Sequence, residues 1–168
     1  GQHALSHIAV GDIDDDGDLD AIRGGDQTWL NDGSGTFTNS GQNLGGGLGE
    51  FSFADVDGDG DLDIAGSRIM LNDGTGNFTN SGTSPGGTQI RAGDLDGDGD
   101  LDLFLGIRYG GNQIWLNDGN GNFTNTGQGL GNHSTDAVEL ADLDNDGDLD
   151  AWEGNNGTHN RIYVNDGS

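Results

Sequence analysis

The chain has 168 residues, enough for one sizeable domain, and it is rich in glycine and poor in apolar residues. With 35 glycines, one proline and 30% apolar residues, its composition favours a β-rich fold over a helical one. Thirty acidic residues stand against five basic ones, and the net charge of −25 excludes nucleic acid and anionic membranes as partners and favours cations. The sequence has no cysteine, which excludes disulfides and thiolate metal sites, and no apolar run long enough for membrane insertion.

Two sequence markers recur four times and divide the chain into repeats of about 40 to 48 residues, a length typical of propeller blades. The first marker is an acidic run, which begins at Asp12 (DIDDDGDLD), Asp55 (DVDGDGDLD), Asp94 (DLDGDGDLD) and Asp142 (DLDNDGDLD). The second is an Asn-Asp-Gly turn, found in WLNDG, MLNDG, WLNDG and YVNDG. We place the repeats at residues 1–40, 41–81, 82–127 and 128–168.

Each repeat has the pattern of four short strands. In chain order, a first strand alternates apolar and polar residues before the acidic run, as at Ile8 and Val10, and a second strand follows the run. A third strand ends at the Asn-Asp-Gly turn, which leads into a fourth strand around Phe37, Phe78 or Phe123. The sequence stops in the turn of the fourth repeat, so we expect that repeat to lack its fourth strand and to leave an open edge.

These patterns predict an all-β chain that forms a single domain over residues 1–168, a β-propeller or half-propeller of four-stranded antiparallel blades, with four repeats per chain. One large residue recurs at the same place on the third strand of every repeat. It is predicted to lie in the core between blades and comprises Trp29, Met70, Trp115 and Tyr163.

The acidic runs have the spacing of a loop that binds a hard cation. We number each run 1 to 9, with aspartate at positions 1, 3, 5, 7 and 9, glycine at 6 and leucine at 8. Ca²⁺ takes six to eight oxygen ligands, which carboxylates at positions 1, 3, 5 and 9 and the backbone carbonyl of position 7 would supply. Without a metal, two carboxylates about 5 Å apart repel by about 3 kcal/mol at an effective dielectric of about 20.

We therefore predict one Ca²⁺ per repeat, four per chain. The predicted metal residues are Asp12, Asp14, Asp16, Asp18, Asp20, Asp55, Asp57, Asp59, Asp61, Asp63, Asp94, Asp96, Asp98, Asp100, Asp102, Asp142, Asp144, Asp146, Asp148 and Asp150.

Three other interpretations of the runs fit less well. Solvated Asp-rich turns would not repeat their spacing four times. An EF-hand needs glutamate at position 12 and flanking helices, but position 12 is Arg23, Gly66, Leu105 or Glu153, and the flanks alternate like strands. Mg²⁺ prefers to retain its waters over a full protein cage.

The chain resembles the FG-GAP and VCBS-type repeats of integrin-like calcium-binding β-propellers over essentially its whole length. The resemblance is carried by Asp-x-Asp-x-Asp-Gly-x-Leu-Asp between two strands, followed by Leu-Asn-Asp-Gly-x-Gly-x-Phe. It implies that calcium binds the loop between the first two strands of a blade, through Asp12, Asp14, Asp16 and Asp20 in the first repeat. Propellers of this family usually have more than four blades. We therefore expect either a homodimer that completes an eight-bladed ring or an excised or designed part of a longer propeller.

The expected function is that of a calcium-stabilised structural, adhesion or interaction scaffold without enzymatic activity. Calcium sites of extracellular modules bind with dissociation constants of about 10⁻⁴ to 10⁻³ M, which favours an extracellular or cell-surface location. A carbohydrate-binding, lectin-like propeller is the alternative, and a protein ligand is a further one. The loops that are longer in the third and fourth repeats hold the candidate ligand-binding residues Arg108, Tyr109, Asn112, Asn156 and His159. A polysaccharide lyase-like fragment is the third alternative, although no carboxylate outside the acidic runs is paired with a base.

Overall fold

The structure, a computed structural model, describes residues 8–23 and 27–167. The rest of the predicted first and last repeats, residues 1–7, 24–26 and 168, lies outside these ranges. The described residues form sixteen strands and no helix, which confirms the all-β prediction. None of the described segments is a helix that could cross a membrane.

The strands form four antiparallel sheets in chain order. The first sheet contains β1 (Ile8–Gly11), β2 (Asp20–Arg23), β3 (Gln27–Asn31) and β4 (Phe37–Asn43). The second contains β5 (Ser52–Ala54), β6 (Asp63–Ala65), β7 (Ile69–Asn72) and β8 (Phe78–Asn80). The third contains β9 (Gln89–Gly93), β10 (Asp102–Gly106), β11 (Gly110–Leu116), β12 (Thr124–Asn125) and β13 (Leu130–His133). The fourth contains β14 (Thr135–Ala141), β15 (Asp150–Asn155) and β16 (Arg161–Tyr163).

The third sheet has one strand more than the sequence pattern predicts. β12 pairs with the end of β11 at Trp115 and Leu116, and β13 pairs with its beginning at Gly110 and Asn112. β13 consists of residues that the sequence pattern assigns to the fourth repeat. The seven residues of β11 are too many for the two residues of β12 to cover, so β13 pairs with the remaining edge. In the first sheet one long strand, β4, pairs with both parts of β3.

The four sheets share one register, which makes their residues directly comparable. The large side chain of each third strand lies opposite the tenth residue counted from the start of the acidic run. The pairs are Ala21 with Trp29, Ile64 with Met70, Leu103 with Trp115, and Ala151 with Tyr163. A residue of the acidic run or of the paired parts of the second and third strands therefore has a structural counterpart in every other repeat.

The apolar core lies between successive sheets, in three clusters. Ile13 and Ile22 of the first repeat pack with Phe51, Ile64 and Phe78 of the second. Corresponding clusters join the second repeat to the third and the third to the fourth. Each fully buried side chain of this size stabilises the fold by about 1.5 to 3 kcal/mol. The first strands of successive sheets also contact each other, β1 with β5, β5 with β9 and β9 with β14, so the repeats are stacked in chain order.

The third of these interfaces contains an open groove. Phe78 and Phe123, from the fourth-strand segments of the second and third repeats, are buried in the first and second interfaces. The described part of the fourth repeat ends before the equivalent segment, and a groove of about 620 Å³ lies at that place. Its lining includes Leu95, Phe104, Leu116, Leu149 and Tyr163.

Candidate metal centre

Two residues of each acidic run adopt the left-handed backbone conformation. Position 6 is glycine in all four runs, with φ between 93° and 104°. Position 4 is glycine in the second and third runs but Asp15 (φ 58°) in the first and Asn145 (φ 64°) in the fourth, and these two residue types tolerate this conformation. The two left-handed residues turn the chain sharply, so that the side chains of odd-numbered positions can converge.

Carboxylates of the run itself hold the turn in shape. The Oδ2 atom of position 1 accepts a hydrogen bond from the backbone N–H of position 6, at 3.0 to 3.2 Å in the four repeats. The Oδ1 atom of position 5 accepts one from the N–H of position 7, at 2.9 to 3.0 Å. These hydrogen bonds fix the carboxylates of positions 1 and 5 within the turn.

The aspartate at position 9 anchors the loop to the sheet. Asp20, Asp63, Asp102 and Asp150 begin the second strands and are completely buried. In each of them Oδ2 accepts a hydrogen bond from the N–H of position 2, at 2.8 to 3.0 Å. Oδ1 accepts another from the N–H of the asparagine in the Asn-Asp-Gly turn, at 2.7 to 2.9 Å. Position 9 thus joins both ends of the acidic run and the third strand.

Three carboxylates converge in every repeat. In the first three repeats they come from positions 1, 3 and 9, and each offers one oxygen within 4.8 Å of the others; in the fourth they come from positions 1, 3 and 5. The groups are Asp12, Asp14 and Asp20; Asp55, Asp57 and Asp63; Asp94, Asp96 and Asp102; and Asp142, Asp144 and Asp146. Oxygens about 2.3 to 2.6 Å from a common Ca²⁺ would be separated by distances of this order.

A second observation, the lack of partners for several buried carboxylate oxygens, also indicates that these residues suit a hard divalent cation. The Oδ1 atoms of Asp12, Asp14 and Asp57 are buried and have no hydrogen-bond partner among the described residues. A buried carboxylate oxygen without a partner is costly, and a cation would remove that cost. Because all the converging atoms are oxygens, the chemistry suits Ca²⁺ better than a soft metal.

Several aspartates of the converging groups have raised pKa values, as expected of crowded acids. Burial raises the pKa of Asp14 and Asp57, and the charges of neighbouring aspartates raise it further. Burial raises the pKa of Asp63 from 3.8 to about 6, although the N–H groups of Asn72 and Val56 oppose the shift. Burial also raises the pKa of Asp102. These carboxylates therefore bind protons in competition with a metal.

The remaining predicted metal residues lie outside the converging groups. Position 5 of the first three repeats (Asp16, Asp59 and Asp98) and position 9 of the fourth (Asp150) are not in the groups. Position 7 carboxylates are in none of them. They lie against the glycine of the Asn-Asp-Gly turn, and a Cβ added to Gly74 would be 2.7 Å from Oδ2 of Asp61. Position 7 is the one that the sequence predicted to contribute its backbone carbonyl.

The sequence pattern did not reveal the second role of the turn asparagine. The side-chain amide of Asn72 donates to the carbonyl of Leu62 in its own acidic run and to that of Ile13 in the preceding run. The bonds from Asn117 to Val56 and from Asn165 to Leu95 are equivalent. From the local sequence alone, the turn asparagine is interpreted only as part of a hairpin turn. Its recurrence in an Asn-Asp-Gly turn in every repeat was the available signal.

The candidate ligand-binding residues of the longer loops lie in two environments. Tyr109 is 91% exposed, and Arg108, Asn156 and His159 are also exposed. Arg108 forms an ion pair with Asp136 at 3.3 Å. Asn112 is buried, and its side chain accepts hydrogen bonds from Ile107 N–H and the Thr135 hydroxyl.

A buried carboxylate, Glu153, lies beneath these loops. It accepts hydrogen bonds from the side-chain amides of Asn112 and Asn155. Arg161 approaches it at 4.0 Å. Asn112 and Glu153, both buried, therefore connect the third and fourth repeats.

Comparison with known proteins identifies the repeats. The family model described as FG-GAP-like repeat matches residues 65–105 and 94–153, which together span more than half of the chain. A search of curated proteins found no match. Among solved structures, the crystal structure of the V. cholerae biofilm matrix protein Bap1 is similar with a TM-score of 0.58 and 19% sequence identity. The similarity covers 87% of this chain and 23% of the Bap1 chain, and it concerns the fold.

Proposed function

This chain belongs to the FG-GAP-like repeat family, and from that premise we propose that it is a calcium-stabilised β-propeller scaffold for structural or adhesive contacts. The four sheets would be the blades, with the acidic runs as metal loops between their first and second strands. The stacking of β1, β5, β9 and β14 on one another supports this arrangement. The observation that carries the proposal is the convergence of three carboxylates in all four repeats, with buried, unpartnered oxygens at Asp12, Asp14 and Asp57.

In each repeat, positions 1 and 3 would hold the cation, together with position 9 or position 5 and the position 7 carbonyl. The bound Ca²⁺ would supply positive charge that offsets the repulsion between carboxylates. The protein residues orient the ligands: the position 6 N–H holds the position 1 carboxylate, and two N–H groups fix position 9. Because the loop joins two strands and its carbonyl at position 2 contacts the next repeat, an ordered loop stabilises both the sheet and the interface.

Calcium titration of the full chain tests the proposal. We expect four bound ions per chain and a higher melting temperature in calcium, with an added stability of about 2.7 kcal/mol per site when calcium is at 100 times its dissociation constant. Asp57→Asn should reduce the number of ions to three. Asp73→Asn, in the exposed turn of the same repeat, is the matched control and should leave four. A melting temperature that does not respond to calcium, with no heat of binding, would overturn the proposal.

A secreted or cell-surface location follows from the same proposal. Calcium sites of extracellular modules bind with dissociation constants of about 10⁻⁴ to 10⁻³ M and are filled where calcium is millimolar. The fold likeness to a protein described as a biofilm matrix protein is consistent with a structural role outside the cell. Secretion of the chain into the medium by cells that express its gene would be the direct measurement.

Carbohydrate binding is the second candidate, and the exposed ring of Tyr109 beside Arg108 favours it. An aromatic face and a guanidinium are groups that stack on and hydrogen-bond to sugars. Thr135 N–H donates to the Ile107 carbonyl at 3.2 Å and Asn156 N–H donates to the Ser134 carbonyl at 2.9 Å, so both longer loops contact the start of β14. On a glycan array, binding should be lost with Tyr109→Ala and retained with Tyr109→Phe, which keeps the ring. Absence of any glycan signal would leave the scaffold function alone.

A further inference from the structure

Exposed apolar side chains are concentrated at the two ends of the stack of repeats. Among the described residues, nine large apolar side chains are exposed, and all except Tyr109 belong to the first or the last repeat. We call Ile8, Val10, Leu19 and Phe37 the leading face; they are between 46% and 63% exposed. We call Leu143, Trp152, Ile162 and Val164 the trailing face; they are between 40% and 62% exposed. Clusters of exposed apolar side chains mark interaction surfaces.

The leading face has counterparts that are covered elsewhere in the same molecule. At the first internal interface the equivalent positions hold Phe51, Phe53, Leu62 and Phe78, all of which pack in the first core cluster. Phe78 is 4% exposed there, whereas its counterpart Phe37 is 46% exposed. The leading face is thus the half of an inter-repeat interface that packs against a preceding repeat.

The trailing face is the other half of the same interface. Its equivalents in the third repeat are Leu95, Phe104, Ile114 and Leu116, which lie at the third internal interface. Phe104 is 1% exposed, whereas its counterpart Trp152 is 49% exposed. The three internal interfaces therefore show how a trailing face and a leading face pack together.

The hydrogen-bonding groups at the two ends of the stack are also complementary. At every internal interface a turn asparagine donates to the position 2 carbonyl of the preceding repeat, at 2.7 to 2.9 Å. Asn31, at the leading face, donates its side-chain amide to Leu19 within its own repeat, and its Oδ1 atom is buried without a partner among residues 8–23 and 27–167. No described side chain donates to the Leu143 carbonyl, the equivalent acceptor at the trailing face. One end offers the donor, and the other end offers the acceptor.

We propose that two copies of this chain associate head to tail, with the leading face of one copy against the trailing face of the other and with Asn31 donating to the Leu143 carbonyl across the contact. Because the two faces differ, the contact is heterologous, and a dimer closes when both such contacts form. Closure would give a ring of eight repeats. The inference rests on the proposed stacking of repeats but not on calcium binding. The charge of −25 on each copy opposes association, so the dimer should be favoured by salt or by a bound cation.

Sedimentation velocity of the full chain tests this pairing. The wild-type chain is expected to sediment with twice the mass of one copy. Val10→Glu, on the leading face, and Ile162→Glu, on the trailing face, should each sediment as a single copy, since each change places a charge on an exposed apolar face without entering the core. Tyr109→Glu, at an exposed apolar residue outside both faces, is the matched control and should remain a dimer.

Mixing the two variants distinguishes the head-to-tail contact from a symmetric contact between two identical faces. Each variant retains the face that the other has lost, so an equimolar mixture should regain a dimer, held by one contact and dissociating at less dilution than the wild type. A wild-type chain that stays a single copy at every concentration, or a mixture that forms no dimer, would overturn the proposal. Calcium titration reports metal binding separately from sedimented mass, so failure of the calcium proposal and failure of the pairing can be told apart.

Discussion

The side-chain amide of Asn72 donates a hydrogen bond of 2.9 Å to the backbone carbonyl of Ile13 in the preceding repeat. The backbone N–H of the same residue donates to Oδ1 of Asp63, the buried aspartate at position 9 of its own acidic run. One residue therefore links the acidic run of its repeat to the acidic run of the repeat before it. Equivalent bonds at Asn117 and Asn165 extend this link along the whole stack.

Removal of this link should weaken the interface between repeats. Asn72→Ala deletes the donor and leaves the Ile13 carbonyl without its partner, which is expected to lower the free energy of unfolding by about 1 to 3 kcal/mol. Asn31→Ala is the matched control, because the Asn31 amide bonds only within its own repeat among the described residues. Urea denaturation of dilute protein measures both. Equal losses for the two variants would show that the inter-repeat bond contributes nothing.

Except for β13, the strands and their order were predictable from the sequence for a physical reason. Alternating apolar residues and Asn-Asp-Gly turns are local signals, and the register from Ala21–Trp29 to Ala151–Tyr163 repeats them in every sheet. β13 was not predictable. Its short segment has no strong alternation, and it becomes a strand only because the longer β11 leaves part of its edge uncovered.

The candidate site was predictable to a similar extent. Spacing alone predicted that the aspartates of positions 1, 3, 5 and 9 converge, and the structure brings together positions 1, 3 and 9 in the first three repeats and positions 1, 3 and 5 in the fourth. The pairing of Asn112 with Glu153 joins residues 41 positions apart and is invisible to local patterns. The same limit applies to the Asn72 link, which depends on how two repeats stack.

The metal-free protein should become less stable as the pH rises from 3.8 to 6. Burial raises the pKa of Asp63 from 3.8 to about 6, and it raises the pKa of Asp57 and Asp102 as well. In this interval the native state binds more protons than the unfolded chain, so the free energy of unfolding falls as the pH increases. Thermal unfolding in metal-free buffers across this range measures the slope.

Calcium should reverse this slope. The metal binds the ionised carboxylates, so its stabilisation grows as the same groups lose their protons. The turn aspartates affect stability in a lower pH range. Hydrogen bonds from Ser34 and Thr75 lower the pKa of Asp32 and Asp73. The stability that these two carboxylates contribute is therefore lost only as the pH falls below 3.8. A metal-free protein whose stability rises between pH 3.8 and 6 would contradict the prediction.

The glycine of the Asn-Asp-Gly turn should be required for two reasons: its positive φ, and the close approach of the aspartate at position 7 of the acidic run. Gly74 and Gly82 both have positive φ, at 74° and 92°, but an added Cβ meets Oδ2 of Asp61 at 2.7 Å only in the first case. Gly82→Ala is expected to cost about 1 to 2 kcal/mol, the penalty for a left-handed alanine. Gly74→Ala should cost more, because the Asp61 carboxylate must also move. Urea denaturation without metal isolates this contribution, and identical costs would show that the contact has no effect.

The groove at the third interface should accept an aromatic side chain from an added fourth strand. In the first repeat the six residues that follow Ser34 are GTFTNS, and Ser168 is the equivalent of Ser34. A chain lengthened after Ser168 by GTFTNS should place its phenylalanine in the groove of about 620 Å³, as Phe78 and Phe123 are placed at the other interfaces. Burial of that side chain should add about 1.5 to 3 kcal/mol to the free energy of unfolding. The extension GTATNS is the matched control and should add much less. Equal stability of the two lengthened chains would mean that the groove does not receive the aromatic ring.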